Sequence, residues 1–155
     1  MTQHNPIPPS LAEACKTVRR SLADGIARRY EPSQSEPDTD GRWGDIDYKD
    51  QMRSRWLTRE HLLRTRGLAV AAHYGSAEAH HAALVALDHW IEADYRNPNW
   101  WHNDIGTPML VGETLILLNS PDRSDRAEKL LAPGADGAIN SCGSLAAAWW
   151  KILST

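Results

Sequence analysis

The segment from Asn97 to Pro108 holds the residues with the clearest capacity for chemistry. Two adjacent tryptophans, Trp100 and Trp101, lie among three asparagines, a histidine and an aspartate. The face of an indole packs against the axial C–H groups of a sugar ring, while amide side chains hydrogen-bond its hydroxyls. This composition predicts a carbohydrate-binding segment. The structural alternative is that a buried tryptophan anchors a corner between two helices.

Other residues that could do chemistry lack the spacing for it. The histidines between His73 and His89 contain no zinc-binding pair with a glutamate between its members. Cys15 and Cys142 are far apart and fit neither a disulfide framework nor a metal knuckle. We therefore expect no metal ion and no cofactor.

Two separated motifs carry a family resemblance. The first is Asn99-Trp100-Trp101-x-x-Asp104-Ile105-Gly106-x-Pro108. It resembles the Asn-Trp-Trp-x-x-Glu-Ile-Gly-x-Pro signature of the polysaccharide lyases of family 8. The second runs from Asp40 to Tyr48 and is similar to the family's Asp-Gly-Ser-Trp-x-Asp-Ile-x-Tyr segment. The resemblance covers roughly residues 11 to 120 and includes Trp56, His61, Leu62 and Arg64 between the motifs. Asp104 in place of glutamate and the tail from Pro133 onward depart from it.

The resemblance implies an enzyme of the hyaluronate, chondroitin AC and xanthan lyase group, which cleaves uronate-containing polysaccharide by β-elimination. An asparagine amide neutralises the uronate carboxylate, a neutral histidine or tyrosine removes the C5 proton, and a tyrosine protonates the leaving oxygen. In the family these residues follow the tryptophan motif along the chain. Asn140 lies near the expected asparagine but lacks its surrounding pattern, so the catalytic residues stay unassigned.

The resemblance also implies which residues contact substrate. Trp100 and Trp101 match the family's aromatic patch, and Asn99 matches an amide that lines the cleft beside it. His102 and Asn103 occupy positions that vary in the family, and we keep them as candidate contacts with an open role. For Trp43 two interpretations stay open. It is either a ligand contact or a loop anchor under the rim of the cleft.

Arginines are concentrated before and within the second predicted helix. Guanidinium groups pair well with the carboxylates of an acidic polysaccharide. A run of charges on a helix is, however, more commonly a solvated face, and this is the interpretation that we favour from sequence. The residues are Arg53, Arg55, Arg59, Arg64 and Arg66.

Apolar residues recur at spacings of three and four along the chain, which predicts an all-α fold. The predicted helices run from a capping box at Ser10 to near Tyr30, from Thr58 to Tyr74, from Ser76 to about Asp94, from Thr107 as N-cap with Pro108 as first residue, from Asp122 to Leu131, and from Leu145 to Leu153. The resemblance implies that antiparallel hairpins of these helices build an α/α toroid.

The whole chain, 1–155, is predicted to be the N-terminal portion of an α/α-toroid lyase domain. Within it we expect a tail at 1–10, a long loop at 31–57, a tryptophan-rich cleft loop at 97–107 and an unmatched tail at 133–155. A closed toroid needs about twice as many helices, since each hairpin packs against the next. We therefore expect an incomplete toroid whose remainder lies C-terminal to this chain. The apolar stripe of Val111, Leu115 and Leu118 is expected to lack neighbours.

Composition and charge narrow the classes of binding partner that we expect. A net charge of −3 over 155 residues gives no electrostatic footprint for nucleic acid, and no apolar run is long enough to span a membrane. The first residues show no basic and then apolar pattern, so we predict no signal peptide in this chain. The family is largely secreted, and the resemblance therefore implies an extracellular or periplasmic protein whose partner is an acidic polysaccharide.

Two functions from different classes follow. The first is a fragment of a polysaccharide lyase that supplies the aromatic patch and is inactive by itself. The second is a non-catalytic helical module that binds carbohydrate or protein through the tryptophans.

Overall fold

The computed structural model describes residues 10–29 and 35–136, and within these ranges every regular element is helical. Two short 3₁₀ turns and one π-helical turn precede helices, at Leu57–Arg59, Pro121–Arg123 and His102–Gly106. The predicted all-α fold is confirmed for this part of the chain, whereas the helix predicted from Leu145 to Leu153 lies outside it. The α-helices are α1 (Leu11–Ala27), α2 (Glu60–His73), α3 (Ala77–Ala93), α4 (Thr107–Leu118) and α5 (Ser124–Asp136).

Helix α1 begins at the predicted capping box and is tied to α4. The Ser10 hydroxyl accepts from the Glu13 N–H at 3.3 Å, and the Glu13 carboxylate accepts from the Ser10 N–H at 3.0 Å. Further along α1, Arg19 Nε donates to the Ile116 carbonyl at 2.8 Å, and Arg19 Nη2 donates to Asn119 Oδ1 at 2.9 Å. One arginine therefore binds the carbonyl end of α4, where the helix leaves its acceptors unpaired.

Helix α4 is the centre of the described fold. Ten of its 12 residues are buried, as expected for a helix that is apolar on all sides. It contacts α1, α2, α3 and α5. The expectation that Val111, Leu115 and Leu118 lack neighbours is wrong, because these contacts leave them 0%, 0% and 5% exposed.

Helices α2 and α3 form an antiparallel pair joined by a short turn. The Ser76 hydroxyl caps α3 by accepting from the Ala79 N–H at 3.1 Å, as the sequence predicted. His61, at the start of α2, donates from Nε2 to the carbonyl of Ala86 in the later half of α3, at 2.8 Å. The beginning of α2 therefore lies beside the end of α3.

The chain from 35 to 56 has no regular helix and crosses the α2 and α3 pair. It lies against α3 at Gly41, where φ is +79° and a Cβ would lie 2.5 Å from the Val85 carbonyl oxygen. Only glycine fits this contact and this backbone conformation.

The helical segment that leads into α4 begins earlier than predicted. Trp100 and Trp101 are already helical, and the π-helical turn continues from them into α4. Thr107 has right-handed helical dihedrals, φ −66° and ψ −52°, and is therefore not an N-cap. The cleft loop predicted at 97–107 ends at Asn99, because the capping bond of that residue starts the helix eight residues earlier than the Thr107-Pro108 pattern indicated.

Candidate functional site

Asparagine side chains fix the backbone just before the tryptophan pair (Trp100 and Trp101). The Asn97 N–H donates to Asn103 Oδ1 at 2.9 Å, and Asn103 Nδ2 donates back to the Asn97 carbonyl at 2.7 Å. Asn97 Oδ1 also accepts from the Asn99 N–H at 2.9 Å. Side-chain hydrogen bonds thus replace the backbone–backbone hydrogen bonds that this non-helical segment lacks.

Asn99 joins this segment to a distant one. Its Oδ1 accepts from the Trp101 N–H at 3.1 Å, which is an N-cap interaction, and its Nδ2 donates to the Arg53 carbonyl at 2.9 Å. Asn97 Nδ2 makes a parallel bond to the Met52 carbonyl at 3.2 Å. Asn99 and Asn103 therefore use their amides to position the tryptophans, and their contact with a ligand stays a prediction.

The tryptophan pair is exposed, unlike the other tryptophans in the described residues. Trp100 is 61% exposed and Trp101 is 38% exposed, whereas Trp43, Trp56 and Trp90 are at most 4% exposed. Exposing two consecutive indoles removes a large apolar area from the core, and such patches commonly mark binding sites. The alternative of a buried tryptophan anchor does not apply to either residue.

Two neighbours support the ring of Trp101. A Cβ on Gly106 would lie 2.9 Å from Trp101 Cζ3, so the indole lies directly against the bare backbone of the π-helical turn. The His102 ring meets Trp101 edge to face, with centroids 5.4 Å apart. Gly106 and His102 are the last and first residues of the π-helical turn, a feature that often accompanies functional sites.

The His102 side chain is buried next to the tryptophan pair. It is 7% exposed and its ring lies between those of Trp56 and Trp101, each 5.4 Å away between centroids. Burial lowers the pKa of His102, although its hydrogen bond to the Arg53 backbone opposes this shift. Its Nδ1 is buried without a hydrogen-bond partner among the described residues, so Nε2 carries the proton that binds the carbonyl. The imidazole is therefore neutral at pH 7.

A cleft of about 550 Å³ opens beside His102. Its floor is the start of α2, and its walls come from the chain at 45–47 and 54–57. Charges of both signs line it, among them Arg55, Arg59, Arg64, Asp45 and Glu60.

The structure divides the predicted arginine cluster. Arg64 makes two short bonds to the Asp45 carboxylate, at 2.8 and 2.7 Å, and a longer one to Glu60 at 3.3 Å. These bonds raise the pKa of Arg64 and lower that of Asp45. Arg66 pairs with Glu113 at 2.5 Å. Arg59 forms no ion pair with the described residues; its guanidinium lies 5.9 Å from the centroid of the Trp101 ring.

The motif from Asp40 to Tyr48 is joined to His61 by a partly buried chain of hydrogen bonds. Tyr48 Oη accepts from the Trp43 N–H at 3.0 Å and donates to His61 Nδ1 at 3.0 Å, and His61 Nε2 donates to the Ala86 carbonyl at 2.8 Å. Because that carbonyl only accepts, Nε2 of His61 carries a proton. Burial is the main cause that lowers the pKa of His61, to about 3, so the ring is neutral at pH 7 and Nδ1 accepts from Tyr48.

Trp43 belongs to this structural chain. It is 3% exposed, its Nε1 donates to the Ser35 carbonyl at 3.0 Å, and its ring packs edge-on against His61 at 4.9 Å. The geometry favours the loop anchor over the ligand contact. The sequence singled out Trp43, but it gave no role to Tyr48 and His61, whose only signal was their place in the family motifs.

Among the described residues, the buried His102 is the one histidine or tyrosine in ring contact with the tryptophan pair. Tyr95 is hydrogen-bonded to His89 at 2.9 Å and stacked on Tyr48, and Asn140 lies outside the described residues. Within residues 10–29 and 35–136, no group of three or more His, Cys, Asp or Glu side chains could hold a metal ion. No helix of the described ranges is long and apolar enough to cross a bilayer.

Comparison with known proteins identifies the family. The model of the polysaccharide lyase family 8 N-terminal alpha-helical domain matches residues 5–138. The chain belongs to polysaccharide lyase family 8. A family 8 relative, the chondroitinase-AC of Pedobacter heparinus, is 36% identical over 85 residues, which cover 51% of this chain and 12% of the relative.

The solved structures give the same fold. A chondroitinase AC lyase, determined in complex with oligosaccharides, covers 87% of this chain at 24% identity with a TM-score of 0.50. This chain covers 22% of that one and thus spans less than a quarter of either family 8 relative.

Proposed function

We propose that this chain is the saccharide-binding part of a polysaccharide lyase that cleaves uronate-containing polysaccharide by β-elimination. The observation that carries the proposal is the exposure of Trp100 and Trp101 beside a cleft with charged walls. Asn97, Asn99 and Asn103 hold the backbone of this tryptophan platform in place. Membership of family 8 supports the reaction class. The same proposal places the protein in the extracellular or periplasmic space, where a polymeric substrate is met.

The tryptophan pair acts by stacking on sugar rings. An indole in such a stack contributes about 1 kcal/mol beyond the area that it buries. Binding energy gained away from the reacting bond is useful because it holds the substrate in register with the catalytic groups. In this proposal the chain supplies that positioning, and we assign none of its residues to proton transfer.

Isothermal titration of the 155-residue chain with uronate oligosaccharides tests the proposal. Replacing both tryptophans by alanine removes about 2 kcal/mol of stacking, which corresponds to roughly thirtyfold weaker binding. The matched control is Tyr74→Ala, which deletes an aromatic side chain that is 58% exposed at the far end of α2. A folded double variant that binds as tightly as wild type would refute a saccharide site on this surface.

The second candidate is a non-catalytic helical binding module, and it is favoured by the burial of His102, the one histidine or tyrosine of the described residues in ring contact with the tryptophan pair. Both candidates predict binding, but they differ in the role of the surface within a larger enzyme. By itself the chain is expected to release no unsaturated uronate product from hyaluronan, chondroitin or xanthan. The ultraviolet absorbance of that product measures the reaction. A general acid or base typically contributes a factor of about 10² to 10⁴, so turnover would mean that such groups are present.

A further inference from the structure

Arg59 differs from the other arginines that line the cleft. Arg64 is held by the carboxylates of Asp45 and Glu60, and Arg55 is exposed to solvent. Arg59 is partly buried and makes no ion pair with the described residues. A guanidinium in this environment has lost part of its hydration without gaining a carboxylate in return.

The surroundings of Arg59 further disfavour its positive charge. Its Nε is buried and has no hydrogen-bond partner in the described part of the chain. Burial and the positive charge of Arg66 both lower the pKa of Arg59, while Glu60 and Glu113 oppose the shift. An anion that entered the cleft would therefore meet a cation that is already positioned and partly dehydrated, so less free energy would be spent on ordering it.

The position of Arg59 relates it to the tryptophan pair. Its guanidinium lies 5.9 Å from the centroid of the Trp101 ring, and the same residue lines the cleft. A saccharide that stacks on the tryptophan pair and continues into the cleft would therefore meet this arginine. Arginine presents several N–H groups in a fixed planar fork, which matches the oxygens of a carboxylate or a sulfate.

We infer that Arg59 binds an anionic group of the saccharide that stacks on the tryptophan pair and continues into the cleft, and so makes the site selective for acidic over neutral saccharides. The inference rests on the proposed function, since it requires a saccharide on the tryptophan pair. A carboxylate and a sulfate offer Arg59 the same chemistry, and the ligands below separate them.

The test is isothermal titration of wild type and Arg59→Gln with four hexasaccharides. These are hyaluronan, which carries carboxylates alone; chondroitin sulfate, which carries both groups; carboxyl-reduced chondroitin sulfate, which carries sulfates alone; and carboxyl-reduced hyaluronan, which is neutral. A charge-assisted bond corresponds to a factor of about ten or more in affinity. We expect at least that loss with hyaluronan and less than about a twofold change with the neutral ligand. The loss with the sulfate-only ligand shows whether sulfate can replace the carboxylate.

Two further variants make the result specific. Arg20→Gln removes the same charge from an exposed position on α1 and is expected to change no affinity by more than about twofold. Arg59→Lys keeps the charge but loses the planar fork, so it should weaken acidic ligands by about three- to tenfold. If Arg59→Gln does not fold, as judged by circular dichroism, the lysine variant decides.

The inference is overturned if Arg59→Gln and Arg59→Lys bind acidic ligands as wild type does, or if they weaken neutral and acidic ligands equally. The tryptophan double variant separates this failure from that of the proposed function. Loss of binding in that variant together with unchanged binding in the Arg59 variants refutes the role of Arg59 alone. Unchanged binding in the double variant, or no binding by wild type, refutes both.

Discussion

At the scale of single residues, the two tryptophan-containing motifs have different roles. Trp43 and His61 are buried and are hydrogen-bonded through the partly buried Tyr48, so the motif from Asp40 to Tyr48 stabilises the fold. Trp100 and Trp101 are exposed, so the motif from Asn99 to Pro108 presents a surface. The sequence could predict the surface because two adjacent indoles among amides suit a sugar. It could not predict that Asn99 is tied to Arg53, because no local spacing rule links residues 46 positions apart.

His61 makes stability depend on pH. Its pKa in the folded chain is lowered from 6.5 to about 3, so below pH 6.5 the unfolded chain takes up a proton that the folded chain does not. Stability from this residue is therefore complete above pH 6.5 and is lost as the pH falls towards 3. Between pH 7.5 and 5 the loss should be about 2 kcal/mol, at roughly 1.4 kcal/mol per pH unit.

Urea unfolding at the two pH values measures this loss. The pH dependence of His61→Gln should be smaller than that of wild type by about the predicted 2 kcal/mol. His80→Gln, which replaces an exposed imidazole on α3, is the control and should retain the dependence of wild type. Equal dependence in wild type and His61→Gln would contradict a neutral buried His61.

Asn99 is predicted to support both stability and binding. Asn99→Ala removes the cap on the Trp101 N–H and the bond to the Arg53 carbonyl, and loss of a cap costs about 1 kcal/mol. The freed tryptophans should also bind a uronate oligosaccharide more weakly. Asn99→Ser retains a capping oxygen but not the amide donor, and should recover most of the stability in thermal unfolding. If Asn99→Ala had wild-type stability and affinity, the platform would not depend on this residue.

At the scale of elements, helix positions follow from local sequence, but the start of α4 does not. The capping box at Ser10 and the Ser76 cap predict α1 and α3 to within a few residues, because caps and periodicity are local signals. The Thr107-Pro108 pattern has the form of a helix start, yet the helix begins at Trp100. Asn99 provides the competing cap, and the π-helical turn between them carries the tryptophans on a helix.

Gly106 is the residue of that turn which accommodates Trp101. In Gly106→Ala the new methyl group would overlap the indole edge, and the exposed ring should move aside while the helix stays folded. Alanine is favoured over glycine within a helix by roughly 0.5–1 kcal/mol, so stability should change by no more than about 1 kcal/mol. Affinity for a uronate oligosaccharide should fall several-fold in calorimetry. Unchanged affinity would mean that the orientation of Trp101 is irrelevant to binding.

At the scale of the whole molecule, one apolar cluster joins α1, α2, α3, α4 and α5. The sequence indicated which residues are apolar but not which helices would meet, and the prediction of an uncovered stripe on α4 failed for that reason. Leu115 is fully buried at its centre. Leu115→Ala should lower the free energy of unfolding by about 2–5 kcal/mol, which is a large part of the about 5–15 kcal/mol typical of a domain.

Two probes check that the cluster folds as a unit. The far-ultraviolet circular dichroism of the helices and the near-ultraviolet signal of the tryptophans should change in one coincident transition. Exposed Thr17→Ala on α1 is a control that leaves the core intact. Separate transitions for the two probes would show that the helices do not share one core.

The measurement that tests the central claim most directly is a ¹H–¹⁵N spectrum of the indole N–H groups during titration with a hyaluronan hexasaccharide. The chain has seven tryptophans, and single substitutions assign their resonances. We predict that the signals of Trp100 and Trp101 shift with ligand concentration while those of the buried Trp43, Trp56 and Trp90 stay in place. Saturable shifts confined to other tryptophans, or none at all, would contradict a saccharide site on the tryptophan pair.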